Sequence, residues 1–343
     1  MDQGDVRGRR FAAQRLDRPL GAGSLTGLVR HLVAVQAQDP AAFPLALRAR
    51  LPGLAEGDVA KARADRTLVR CWGPRGTLHL VATDDLSWLY PLVKPVPAGS
   101  VRRLRQMGAD LPLDVVVETA ERALRGQGPL TKPELGTRLA QAGLPVTGQG
   151  IVHAAMLAAG RGLVVLGPEE GGKPTYVHAA DWLGAPLPVD DVDRGAAIRT
   201  LVARYRAAHD PCEPADLAAW SGLPLGELAA AWGDERTSAV AWDADLSSVR
   251  LIPAYDEYLL GWRARDHAVP EPFRSLVHPG GGIIKSAVLV DGAVAGTWQL
   301  RRTTSRVDIR VTEFAPLPAA TRPALEAEAD DIGAFLGRDV RMT

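Results

Sequence analysis

Residues 114–178, DVVVETAERALRGQGPLTKPELGTRLAQAGLPVTGQGIVHAAMLAAGRGLVVLGPEEGGKPTYVH, decide the architecture of this 343-residue chain. Helix-forming runs cover 114–125, 132–142 and 150–159, and β-rich runs at 163–166 and 175–178 flank a Gly/Glu turn. Three helices followed by a two-stranded hairpin are the plan of a winged helix. Upstream, SLTGLVRHLVAVQA at 24–37 places Leu25, Leu28, Val29 and Leu32 on one face behind Ser24 as N-cap, which predicts an amphipathic helix. A break at Asp39-Pro40, a helix at 56–64 and a hairpin of 67–72 with 77–81 follow, with Arg75 at the hairpin tip in Gly73-Pro74-Arg75-Gly76. Downstream, helices at 195–208, 214–221 and 225–232 and a less clear wing at 238–242 make a third version.

From Ser248 the texture changes. Runs at 249–252, 282–289, 293–300 and 305–312 read as strands, Asp291-Gly292 is a strong hairpin turn, and 318–336 returns to helix. The expected fold is α+β: three tandem winged-helix modules at 1–113, 114–190 and 191–247, then a small C-terminal β-barrel and helix at 248–343.

The composition suits a folded protein rather than a disordered or membrane-inserted one. The hydrophobic fraction is 46%, and no window approaches the roughly 18 uninterrupted apolar residues of a membrane helix. Residues 1–10 carry charges of both signs with no apolar stretch behind them, and Cys71 and Cys212 are too few for a disulfide framework. A cytoplasmic, nucleoid-associated location is the expectation. Net charge is zero, with 40 basic and 40 acidic side chains, yet residues 1–113 carry 17 basic against 10 acidic and the rest 23 against 30. A basic N-terminal third fits either a polyanion partner or a solvated basic face.

Several familiar motifs fail. Gly280-Gly281-Gly282-Ile283-Ile284-Lys285-Ser286 lacks the glycine before lysine that a phosphate loop requires and leads into β-rich sequence. His31, His79, His153, His178, His209, His267 and His278 are scattered without zinc-site spacing, so no metal is expected. No GxSxG elbow occurs. Asp256-Glu257 are adjacent, so in extended backbone they point apart, and they read as hydrogen-bonding or structural groups.

Val35-Gln36-Ala37-Gln38-Asp39-Pro40 is the informative stretch. On a continuous helix Gln36, four residues after Leu32, projects from the buried stripe, where a primary amide must find partners. Gln38 then lies about 200° further round the helix, so the two amides share a site only if the backbone extends. Pro40 pushes Asp39 out of helical geometry and favours such an unwinding. Two readings fit: amides converging at a helix end beside a basic module, or Gln36 packing the repeat with Gln38 as a cap or solvent-facing residue.

Four segments resemble the AlkZ-like family of bacterial winged-helix DNA glycosylases. They are Val35 to Pro40, then RCWGPRGTLHL at 70–80, LIPAYDEYLLG at 251–261, and Val288 to Gly292 continuing through Gly296-Thr297-Trp298. Each alone is weak, and their order makes them specific. The resemblance implies three tandem winged helices joined to a C-terminal β-barrel, and excision of N7-alkylated guanine, in some members from bulky natural-product adducts or interstrand crosslinks. Its Gln-x-Gln signature implies Gln36 and Gln38 as catalytic residues and points to the branch resembling self-resistance enzymes of antibiotic producers.

The chemistry suits such a pair. Alkylation at N7 leaves a cationic base that departs without protonation, so the site needs only to hold a water and stabilise an oxocarbenium-like sugar. The expected enzyme is a monofunctional glycosylase with no cofactor, acting as a monomer on double-stranded DNA containing alkylated guanine. Arg70, Arg75, His79 and Lys285 are its DNA-contact candidates, Arg75 at the hairpin tip with Arg70 and His79 flanking it. The alternative is a non-catalytic winged-helix regulator or a genotoxin-sequestering protein.

Overall fold

A computed structural model describes residues 3–17, 24–190, 192–233, 248–303 and 305–343. The strands, in chain order, are β1 (Val35–Gln36), β2 (Leu68–Trp72), β3 (Leu78–Ala82), β4 (Leu130–Thr131), β5 (Val164–Glu170), β6 (Lys173–His178), β7 (Val249–Ile252), β8 (Ala287–Val290), β9 (Ala293–Arg302), β10 (Arg306–Glu313) and β11 (Asp339–Met342). The chain forms two compact units. One unit joins Met1–Val59, Arg199–Trp220 and Pro224–Thr343, and the other joins Ala60–Ile198 and Ser221–Leu223.

The unit around residues 60–198 contains the 114–178 segment. Helices Leu113–Leu124, Lys132–Gln141 and Gln149–Ala159 precede the β5–β6 hairpin, and β4, between the first two helices, pairs with β6. A capping box starts the second helix, where the Thr131 N–H donates to Glu134 Oε2 at 2.7 Å and the Thr131 side chain accepts in return from the Glu134 backbone. Within this unit the strand order is β3-β2-β5-β6-β4. The faces meet in a core that includes Trp72, Leu124, Leu139, Leu157, Leu166 and Tyr176. Every residue of β2 and β3 is buried, so this hairpin is an interior element that shows only its tip to solvent.

The other unit is discontinuous. Its sheet runs β11-β10-β9-β8-β7, antiparallel except for β10 and β11, with Asp291 and Gly292 at φ 49° and 73° in the hairpin turn between β8 and β9. The sequence predicts a small β-barrel, or a sheet closed by a helix, here. The observed sheet is half-barrel-like, with β7 and β11 at its two ends. Two features shape it. Gly280, Gly281 and Gly282 take positive φ and turn the chain where a strand was expected, so β8 begins only at Ala287. The final strand β11 then adds parallel to the outer edge of β10 rather than bridging to β7. Helix Arg322–Leu336 lies against both β7 and β11, and Gly333 permits close approach, since a Cβ there collides with Val340. Arg48 ties this helix down, its guanidinium reaching Asp331 at 2.8 Å, Glu328 at 3.1 Å and the Leu251 carbonyl at 2.8 Å.

Helices Arg194–His209, Pro214–Ser221 and Leu225–Ala231 form where the sequence predicts them, and the wing expected at 238–242 lies outside the described residues. Among the described residues no helix is long and apolar enough to cross a membrane.

Candidate active site

The Gln-x-Gln stretch is not helical: Gln36 is extended and the chain bends at Gln38. Helix Leu25–His31 begins under Ser24, whose Oγ accepts the Gly27 N–H at 2.9 Å, and it stops six residues short of the span expected from the sequence. The apolar stripe ends at Leu32, and the next five residues, Val33 to Ala37, are all buried, which no single helix face allows. Val33 turns the chain with φ at 70°, a left-handed conformation that a β-branched residue resists. Beyond it β1 carries Val35 and Gln36 in extended backbone.

Gln36 is held by its main chain. Its N–H donates to Glu257 Oε1 at 2.7 Å, while its side-chain Oε1 accepts the Gln38 N–H at 3.3 Å, the donor that fixes which end of the amide is oxygen. The Gln36 Nε2 has no hydrogen-bond partner among the described residues. Gln36 is 9% exposed and Gln38 is open to solvent. The structure thus brings the two glutamines together through a side-chain to backbone link. Asp39 closes an Asx turn, its Oδ1 accepting the Ala41 N–H at 2.8 Å.

Glu257 braces this stretch from more than 200 positions away, and its neighbour Asp256 anchors the short helix that carries it. Asp256 is fully buried, caps the short helix Glu257–Leu260 through the Tyr258 N–H, and grips Arg50 with both oxygens at 2.8 and 2.7 Å. Arg50 in turn donates to the Gln14 carbonyl and side chain. Glu257, 1% exposed, accepts from Gln36 and from the Trp220 indole at 3.1 Å. Tyr255, just before them, takes φ at 60°. Left-handed non-glycine residues therefore precede both partners of the Gln36–Glu257 hydrogen bond, the placement expected where local strain serves a site. The sequence reading of Asp256-Glu257 as hydrogen-bonding groups agrees with this geometry, but it missed the link to Gln36, for which periodicity and spacing carry no signal.

Beside Asp39 opens a cleft of about 160 Å³ whose walls include Ala42, Leu45, Pro253, Trp298 and Arg302. Trp298 is fixed by its indole N–H donating to the Ile252 carbonyl at 2.7 Å, and Arg302 pairs with Glu56 at 2.7 Å.

The four expected DNA-contact residues divide. Arg70 and His79 sit on buried strands, not on a projecting wing. Arg70 is 1% exposed, its guanidinium bound to Glu169 at 2.9 Å. His79 is 0% exposed, hydrogen-bonded through Nδ1 to the Thr77 carbonyl at 3.1 Å, and burial pushes its pKa down to about 4. Arg75 remains at the tip, exposed, with φ at 56°. Lys285 is exposed beside the glycine turn. Among the described residues no group of three or more His, Cys, Asp or Glu side chains gathers as a metal site.

The fold matches that of the Streptomyces sahachiroi DNA glycosylase AlkZ with a TM-score of 0.78 over the whole of both chains, at 23% identity. In sequence the chain is 27% identical over 383 aligned positions to an interstrand DNA cross-link repair glycosylase of Streptomyces sahachiroi, covering 96% of each. The model of the AlkZ-like DNA glycosylases matches residues 29–335, and the chain belongs to that family. It is accordingly a DNA glycosylase, a hydrolase of N-glycosyl bonds.

Proposed function

We propose that this glycosylase releases N7-alkylguanine from double-stranded DNA, including guanines carrying bulky adducts or joined in interstrand crosslinks, and that Gln36 and Gln38 are its catalytic pair. The carrying observation is the Gln36 side-chain oxygen accepting the Gln38 N–H in a non-helical stretch next to the cleft at Asp39. A water held between the two amides attacks C1′ while the C1′–N9 bond breaks. The bonding electrons leave with the base, which becomes neutral N7-alkylguanine, and the water's proton passes to solvent, leaving an abasic site. Because the leaving group starts as a cation, positioning and amide dipoles suffice, and no cofactor enters. The crosslink repair named for the Streptomyces relative supports the wider substrate range.

The helix–strand–helix–helix–hairpin order of 113–178 supports the reading of tandem winged-helix modules, with boundaries at 113, 190 and 247. We take the protein to act as a monomer in the cytoplasm, at the nucleoid. Arg75 and Lys285 serve as phosphate contacts. Replacing either with alanine is expected to weaken duplex binding across sequences and to reduce the slope of log affinity against log salt by about 1, read by fluorescence anisotropy in a salt series.

The cleft beside Asp39 is read as the seat of the appended part of a bulky adduct. Ala41 is exposed at its lip, so Ala41→Trp is expected to leave folding unchanged within about 0.5 kcal/mol. Release of N7-methylguanine should persist in this variant while release of a bulky N7 adduct falls at least tenfold, and equal effects on the two substrates refute the assignment. The test of the whole proposal is base release from duplexes carrying one N7-methylguanine or one N7–N7 crosslink, scored by strand cleavage in alkali. Tight binding without release from either substrate would favour a sequestering protein.

A further inference from the structure

Glu257 carries more than a structural carboxylate needs to. Both of its oxygens face donors from distant parts of the chain, Oε1 the Gln36 backbone N–H at 2.7 Å and Oε2 the Trp220 indole N–H at 3.1 Å. Trp220 is 0% exposed and packs at a tilt against Tyr205 and His209, so the indole cannot swing away. Burying a carboxylate is costly, and a neutral glutamine of the same shape avoids that cost. A glutamine, however, offers one acceptor and one donor, and the geometry demands two acceptors. A protonated acid accepts through its carbonyl oxygen and only weakly through its hydroxyl oxygen, so the carboxylate meets both donors best.

We propose that Glu257, in its ionised form, is the positioning residue of the Gln36–Gln38 pair, an inference that rests on the catalytic reading of those glutamines. It acts through the Gln36 peptide. Fixing the N–H of Gln36 sets the direction of its Cα–Cβ bond, and with it the amide oxygen that meets the Gln38 N–H at 3.3 Å. Left to itself, the stretch from Val33 has reason to move, because Val33 is held at φ 70°. A buried carboxylate that accepts the Gln36 N–H resists that relaxation, so both amides stay aimed at one water position.

The test uses the full chain and single-turnover release of N7-methylguanine, with kcat and KM separated, on Glu257→Gln, Trp220→Phe and the double variant. Glu257→Gln places an NH₂ group against one of two N–H donors, and is expected to lower kcat about 10–100-fold with KM for the duplex within twofold. Trp220→Phe removes one donor and should leave kcat within about threefold. In the double variant the amide NH₂ faces a phenyl ring and its oxygen again accepts from Gln36, so kcat should recover to the level of Trp220→Phe. Unchanged kcat in Glu257→Gln, a change confined to KM, or a folded double variant no faster than Glu257→Gln overturns the proposal. If Glu257→Gln alone shows no cooperative melt, the double variant decides by the same criterion. Gln36→Ala/Gln38→Ala run alongside keeps the two ideas apart: wild-type release by that variant ends the catalytic reading itself, whatever position 257 does.

Discussion

Gln36→Ala/Gln38→Ala is expected to lower the rate of base release from an N7-methylguanine duplex by about 10³-fold while leaving duplex affinity nearly unchanged. A preorganised dipole aimed at the reacting centre is worth roughly 10²–10³ in kcat. Groups that hold one water act as a unit, so either single variant should lose almost as much as the pair. Affinity is spared because neither side chain is charged, and charge is what phosphate binding depends on. Stability should fall only slightly. Gln38 is exposed, and Gln36 gives up one hydrogen bond of 3.3 Å, worth about 1 kcal/mol. Release within tenfold of wild type by a folded double variant would falsify the assignment.

Asp256→Ala should have the largest effect on stability, a loss of about 3–5 kcal/mol in urea unfolding. Arg50 and Asp256 are both 0% exposed and share two hydrogen bonds, so the substitution leaves a buried guanidinium without its counter-charge. It also removes the cap of helix Glu257–Leu260, which by itself costs about 1 kcal/mol. Asp256→Asn keeps an oxygen for the cap and should sit between wild type and alanine. The exposed pair of Lys61 and Asp65 is the contrast, since Lys61→Ala is expected to change little. A loss under 1 kcal/mol for Asp256→Ala means that the unit does not depend on this ion pair.

Much of the fold is written in local pattern. The helix at 56–64, the helix at 214–221 and β7 have the bounds that periodicity predicts, and Asp291-Gly292 forms the turn its composition predicts. These elements owe their form to neighbours in sequence. What was not legible depends on distant packing. Nothing about a valine suggests the left-handed turn at Val33, so the helix was drawn through Gln36. Hairpin patterning does not say whether a hairpin projects or is covered on both faces, so Arg70 and His79 were placed at the surface. The strand β11 escaped notice because a parallel partner gives no adjacent turn to read. At the site, residue physics left two readings of Gln36 and Gln38 open, and only the resemblance preferred one. The acceptor holding Gln36 lies 221 residues away, beyond any local signal.

The discontinuous unit also sets an order of events during synthesis. Its contact order is high, because the segment with both glutamines must wait for Glu257 and for the strands that follow it. At roughly 5–20 residues per second, some 10–40 s of translation separate the two partners of that one hydrogen bond. Residues 60–198 leave the ribosome in the interval and have their own core to bury. On the nascent chain the element bearing Arg75 therefore matures before the Gln36 N–H can meet Glu257, and a polypeptide broken off before residue 257 lacks that hydrogen bond altogether.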